Sequence, residues 1–200
     1  MPDVAGPTEE QLDIAYAIAD NGKDGLANHN TFRNGKLGFG ELLRALYDNP
    51  TEDEKNALRI KYDAENSLNP LLMERKDFGP LIISLCPDFP MRAVCRALRI
   101  TINQLDVAFD MVDNQEAGGP NPQFKGNNLV GFLELIPALF GDVAPASDVR
   151  AALKERFESA NLAENSLSRE EFRPYIVDLC TDARFSGRPV CLAAHLEAVN

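Results

Sequence analysis

The sequence predicts an all-α protein made of two duplicated halves, each with two helix–loop–helix units and an extra tail helix. An internal repeat, apolar residues at helical spacing, and capping signals where those periodic runs begin lead to this reading. Residues 8–47 lie over residues 101–140 without a gap, with identities at Gln11/Gln104, Leu12/Leu105, Asp13/Asp106, Ala15/Ala108 and Asp20/Asp113. The identities continue through Gly38/Gly131, Phe39/Phe132, Glu41/Glu134, Leu42/Leu135 and Leu46/Leu139. Downstream, Phe78, Pro80, Ile82 and Cys86 meet Phe172, Pro174, Ile176 and Cys180, and Arg92 and Cys95 meet Arg188 and Cys191. A repeat of this length sets the unit of folding before any other feature is considered. The expected lobes are residues 1–100 and 101–200, with the linker near 99–102.

Each half is expected to run helix, loop, helix twice. Thr8 followed by Gln11 is a capping-box pattern, in which a short acceptor and a longer side chain satisfy each other's backbone N–H. It opens a helix whose Leu12, Ala15, Tyr16 and Ala19 recur at the helical period. Residues 20–36 and 113–128 are rich in Asn and Gly, a loop composition. New helices start at Phe39 and Phe132, and Pro137 falls early in its helix, where a missing N–H costs least. Thr51–Glu54 is a second capping box, and Ser168 with Glu171 a third. The last long helices are expected over 76–86 and 168–180, and amphipathic tails over 91–100 and 188–199.

Composition narrows the partners. With 31 acidic against 20 basic residues the formal charge is −11, which repels phosphate backbones and anionic membrane surfaces. No apolar run is long enough to span a bilayer. The first residues lack a basic segment followed by an apolar one, so they do not read as a signal peptide. On that basis the chain is expected to be cytoplasmic.

The units resemble EF-hands. In residues 109–113 an aromatic, Phe109, stands four residues before the acid Asp113, as in that family. Residues 34–37 followed by Glu41-Leu42 look like the second half of an EF-hand loop, and 164–167 followed by Glu171-Phe172 is similar. The resemblance spans nearly the whole chain as a pattern. It implies four EF-hand-like units in two lobes, with Ca²⁺ as the candidate cofactor.

A standard EF-hand loop has twelve residues because one Ca²⁺ is wrapped by six to eight oxygens. From opening to closing acid, the first loop runs from Asp20 to Glu41 and the third from Asp113 to Glu134, both with a long insertion. The second, Asp63 to Asp77, and the fourth, Glu158 to Glu171, are modestly stretched. The candidate metal ligands are Asp20, Asp24, Asn34 and Glu41 in the first loop, and Asp113, Glu116, Asn127 and Glu134 in the third. Asp and Asn also cap helices and shape turns without metal. Glu at a helix start complements the dipole by about 0.3–1 kcal/mol. Degenerate EF-hands kept as a metal-free scaffold are therefore weighed beside calcium binding.

The cysteines form one pair per half, Cys86/Cys95 and Cys180/Cys191, each flanking the turn before the tail. They read either as disulfides pinning that tail, which needs an oxidising compartment, or as buried apolar thiols. Without a signal peptide, reduced thiols are expected. His29 and His195 lack zinc-ligand spacing, and no catalytic motif is present. The chain therefore reads as a non-enzymatic EF-hand-like binding protein, a calcium sensor or buffer or a metal-free scaffold. Its expected partner is an amphipathic basic helix of another protein, not nucleic acid or a membrane. The alternative is a secreted, disulfide-pinned structural or carrier protein without a calcium switch.

Overall fold

The first helix starts where Thr8 and Gln11 satisfy one another. The Thr8 N–H donates to Gln11 Oε1 at 2.7 Å and the Gln11 N–H to Thr8 Oγ1 at 3.3 Å. The same reciprocal pair recurs at Thr51/Glu54, Thr101/Gln104 and Ser168/Glu171. Capping of this kind supplies partners for backbone donors that no helix can satisfy internally. These caps set the starts of helices in a computed structural model that describes residues 6–20, 35–66, 72–113, 126–160 and 166–194.

The chain divides into two units, Met1–Arg99 and Ile100–Asn200. The first contains α1 (Glu9–Asp20), β1 (Leu37–Gly38), α2 (Phe39–Leu46), α3 (Glu52–Glu65), β2 (Leu72–Met73), α4 (Arg75–Leu85) and α5 (Ala93–Ala97). The second contains α6 (Ile102–Asp113), β3 (Val130–Gly131), α7 (Phe132–Phe140), α8 (Ser147–Ala160), β4 (Ser166–Leu167), α9 (Arg169–Leu179) and α10 (Pro189–Ala193). The architecture is mostly helical. Sheet among the described residues is limited to two antiparallel pairings, with Leu37 opposite Met73 and Val130 opposite Leu167. No described helix is long and apolar enough to cross a membrane.

Each unit closes around aromatic pairs, three of them edge-on and Phe132 with Phe157 tilted. Tyr16 meets Phe78 edge-on at 5.2 Å between ring centroids, and Phe109 meets Phe172 at 5.4 Å. A second pair, Phe39 with Tyr62 in one unit and Phe132 with Phe157 in the other, packs at 5.6 and 5.7 Å. Full burial of such a ring contributes roughly 1.5–3 kcal/mol. Outside the core, Arg75 bonds Asp13 and Glu9 at 2.6 and 3.1 Å, joining α4 to α1. Arg173 and Arg169 join α9 to Asp106 and Asp110 of α6. Partly exposed pairs of this kind contribute about 1 kcal/mol or less, so they align the helices more than they stabilise them.

Three sequence expectations change. Pro80, Pro137 and Pro174 each stand sixth in their helix, past the first turn. Each removes a donor to the carbonyl four residues back, at Lys76, Leu133 and Glu170. Those residues are exposed, so water can take the freed carbonyl. The tails are short helices, Ala93–Ala97 and Pro189–Ala193, rather than helices over 91–100 and 188–199, and residues 195–200 lie outside the described residues. Lastly, the cysteines are disulfides, not reduced thiols. Cys86 bonds Cys95 and Cys180 bonds Cys191, with Cα atoms 5.2 and 5.5 Å apart, each pair inside its own unit. The bridge draws the tail back to the end of the preceding helix, which leaves room for a short helix.

Phe172→Ala removes a fully buried ring and is expected to cost about 3–5 kcal/mol. Ile60→Ala, at a residue 72% exposed, is expected to change stability by less than about 0.5 kcal/mol. Urea denaturation followed by far-ultraviolet circular dichroism checks both.

Candidate functional site

The most unusual chemistry in each unit is a pair of acids drawn together at the two ends of its first loop. Asp20 ends α1 and Glu41 is the third residue of α2; both are buried, at 4% and 5% exposure. Glu41 is aimed backward because Oε2 accepts the Gly38 N–H at 2.6 Å. Gly38 has no side chain to return the bond, and a Cβ there would lie 3.2 Å from that oxygen. Glycine therefore gives the carboxylate room over the start of α2. Asp20 Oδ2 accepts the Gly35 N–H at 3.2 Å. Gly35 has φ of +73°, a left-handed conformation that glycine adopts without steric cost.

The second unit repeats the arrangement with different residues. Buried Asp113 accepts the Asn127 and Asn128 N–H groups at 3.2 and 3.1 Å. Asn128, at φ +62°, holds the left-handed place that Gly35 holds in the first unit, six residues before the closing glutamate. Half-buried Glu134 accepts the Gly131 N–H at 2.6 Å. Asn127 Oδ1 accepts the Leu129 N–H at 2.8 Å, so this predicted ligand shapes the turn.

Burial raises the proton affinity of both glutamates. Glu41 is pushed up to about 7 by loss of solvent, with the Asp20 charge adding to the rise and the Gly38 N–H opposing it. Glu134 moves the same way for the same reasons, with Asp113 as its charged neighbour. Each closing acid thus responds electrostatically to the opening acid of its own loop.

Two tyrosines tie the first unit's loops together. The Tyr16 hydroxyl lies 3.0 Å from both the Gly35 and Met73 carbonyls and shares its proton between the two loops. Burial, followed by the Asp20 charge, pushes this phenol up to about 12. Tyr62 donates to the Leu37 carbonyl at 2.8 Å. Phe109 and Phe157 occupy the corresponding places in the repeat and carry no hydroxyl. Sequence reading treated Tyr16 and Tyr62 only as apolar periodic residues and gave Gly35 no role. The Gly/Asn correspondence six residues before each glutamate was the signal available.

Of the predicted ligands, Asp20 and Glu41 share one site and Asp113, Asn127 and Glu134 another, while Asp24, Asn34 and Glu116 lie outside the described residues. Ca²⁺ needs six to eight oxygens. Among the described residues no group of three or more His, Cys, Asp or Glu could hold a metal ion. The two described acids of each loop, each already accepting backbone N–H bonds, do not make a calcium cage by themselves. In the fourth loop, the closing acid Glu171 serves as a cap, with Oε2 accepting the Ser168 N–H at 2.9 Å. No family model matches this chain, and no curated protein matches it.

Glu41 binds its proton more tightly when folded than when unfolded, so it favours folding at low pH. That contribution is lost as pH rises from about 4.5 to about 7. Relative to Glu41→Gln, the parent should therefore lose stability across that window, as measured by urea midpoints at several pH values. Tyr16→Phe should cost about 1–2 kcal/mol because it leaves two loop carbonyls without their donor, and the same urea titration at one pH measures it.

Proposed function

We propose that this chain is an EF-hand-like helical binding protein of two duplicated lobes. It holds the ends of its first loops through its own backbone and acts as a metal-free scaffold for an amphipathic basic helix of another protein. One observation carries the reading. In each unit a left-handed residue, Gly35 or Asn128, stands six before a glutamate, and its N–H bonds the aspartate that ends the first helix. An EF-hand loop requires its sharp turn at the sixth position and its closing Glu at the twelfth. The residues that pair across the loops, Leu37 with Met73 and Val130 with Leu167, support a paired-loop arrangement.

The metal-free form of the reading follows from how the acids are used. Asp20, Asp113, Glu41 and Glu134 accept N–H bonds from their own loops or helix starts. That bonding holds the loop ends without a cation. The net charge of −11 favours a basic partner and speeds its encounter.

A second reading, a secreted structural or carrier protein without a calcium switch, is favoured by the two disulfides, since such bonds persist in oxidising compartments. The same bonds weigh against the cytoplasmic expectation attached to the first reading. The two readings part on whether a basic helix binds.

Thermal unfolding in chelator and in millimolar Ca²⁺ is expected to give midpoints within about 2 °C, because a ligand that does not bind the folded state cannot stabilise it. Titration calorimetry with Ca²⁺ should be correspondingly silent. A large calcium-dependent rise, lost in the Glu41→Gln/Glu134→Gln double variant, would instead assign Ca²⁺ to the first and third loops and overturn the metal-free reading.

A further inference from the structure

We propose that α5 and α10 are built-in occupants of the helix seams they cover, latched there by Cys86–Cys95 and Cys180–Cys191. Of the two, the C-terminal latch is the one that a dithiol reductant opens. The tail α5 packs on α1 and α2, and α10 packs on α6 and α7. Each tail therefore lies over a pair of helices that flank the first loop of its unit. That surface is apolar enough to bury Val94 and Cys95 in one unit and Val190 and Cys191 in the other completely.

The two latches are not equivalent. In the first unit Arg92, which caps α5, forms a two-pronged ion pair with Asp48 at 2.7 and 2.8 Å. That bond holds the Asp48 carboxyl below the ordinary carboxylate range. Tyr47 adds an edge contact to Phe89 at 4.8 Å. In the second unit Gly141 stands where the repeat places Asp48, and among the described residues Arg188 pairs with no acid: its Nε donates to the Arg184 carbonyl at 3.4 Å and its guanidinium lies over the Phe140 ring at 4.5 Å. Its aromatic contact, Phe140 with Phe185, is longer at 6.4 Å. Arg156 ties α8 to Asp182 at 3.0 Å, but this holds the turn upstream of Phe185 rather than α10. Burial follows the same order: all five residues of α5 are buried, but only Val190 and Cys191 of α10. Leu192 is 43% exposed. With its disulfide cut, α5 keeps an ion pair and five buried residues, whereas α10 keeps Val190 and its C-cap Ala194 buried, the buried Phe185 upstream, and Arg188 on the Phe140 ring and the Arg184 carbonyl.

The chemistry is thiol–disulfide exchange. A thiolate of the dithiol attacks one sulfur of the Cys180–Cys191 bond and forms a mixed disulfide, which releases the other cysteine as a thiolate. The second thiol then closes onto the first, leaving both cysteines reduced and the dithiol oxidised. All four cysteines are buried, so attack follows a local opening, and openings come first where fewest contacts must break. Release of α10 uncovers apolar surface of α6 and α7. The proposed function is needed only for what then binds there.

Hydrogen exchange of the full chain, read by mass spectrometry with and without dithiothreitol, tests the latch. After complete reduction the amides of 190–193 should exchange about tenfold faster or more, and those of 93–97 less than about threefold faster. Cys180→Ser/Cys191→Ser should reproduce the first effect without reductant. Asp48→Asn with dithiothreitol should bring 93–97 up to match. Equal protection of both tails after reduction, equal loss from both, or a general loss of helix by circular dichroism would overturn the proposal. A Leu/Lys amphipathic helical peptide should bind the reduced protein more tightly than the oxidised one. Opened α10 amides without peptide binding would leave the latch standing and remove the partner-helix reading.

Discussion

Two residues of antiparallel backbone in each unit set where nearly everything else lies. Leu37 opposite Met73, and Val130 opposite Leu167, are all fully buried. Isolated two-residue strands have no stability of their own, so the pairing persists because helices start directly from it. Phe39 follows Gly38 into α2, and Glu74 caps α4 one residue after Met73. The pairing fixes the spacing of these two helix starts, and α1 and α3 then close the bundle through Tyr16–Phe78 and Phe39–Tyr62. Tyr16 and Tyr62 also bond the strand and loop carbonyls, so core packing and loop position are one constraint in the first unit.

That constraint has an electrostatic cost. Bringing the end of α1 close to the start of α2 buries Asp20 beside Glu41, and both are acids. The Gly35 and Gly38 N–H groups each contribute one bond to a carboxylate oxygen, which offsets part of the desolvation. The remainder appears as Glu41's raised proton affinity. A buried like-charge pair that leaves one acid titrating near neutrality responds to protons whether or not it ever meets a metal.

The helical content was legible because its signals are local. Capping boxes at Thr8, Thr51 and Ser168 are written within four residues, and the buried faces of α1 and α6 follow a single period. The pairing of acids was legible in part, since the repeat aligned Asp20 with Asp113 and Glu41 with Glu134. What the sequence could not convey was competition for their oxygens. Backbone N–H groups carry no residue signature, so the donors from Gly35, Gly38 and Asn128 appear only once the chain has turned. The disulfides were hidden for a different reason: spacing places two cysteines near each other, but the redox reading leaned on the character of the first residues. Tail length likewise depended on the cross-link rather than on the amphipathic pattern of 91–100.

The two units hold their corresponding elements in different ways. The first uses polar pins: two tyrosine hydroxyls on loop carbonyls and Arg92 on Asp48. The second replaces them with rings, as Phe109, Phe157 and Phe140 stand in the repeat where Tyr16, Tyr62 and Tyr47 stand in the first half. Hydrogen bonds and ion pairs are directional and lock one arrangement, whereas ring contacts tolerate sliding at modest cost. At the positions of Tyr16, Tyr62 and Asp48, then, the first unit uses directional bonds where the second uses ring contacts, while both units share ion pairs between their first and last long helices.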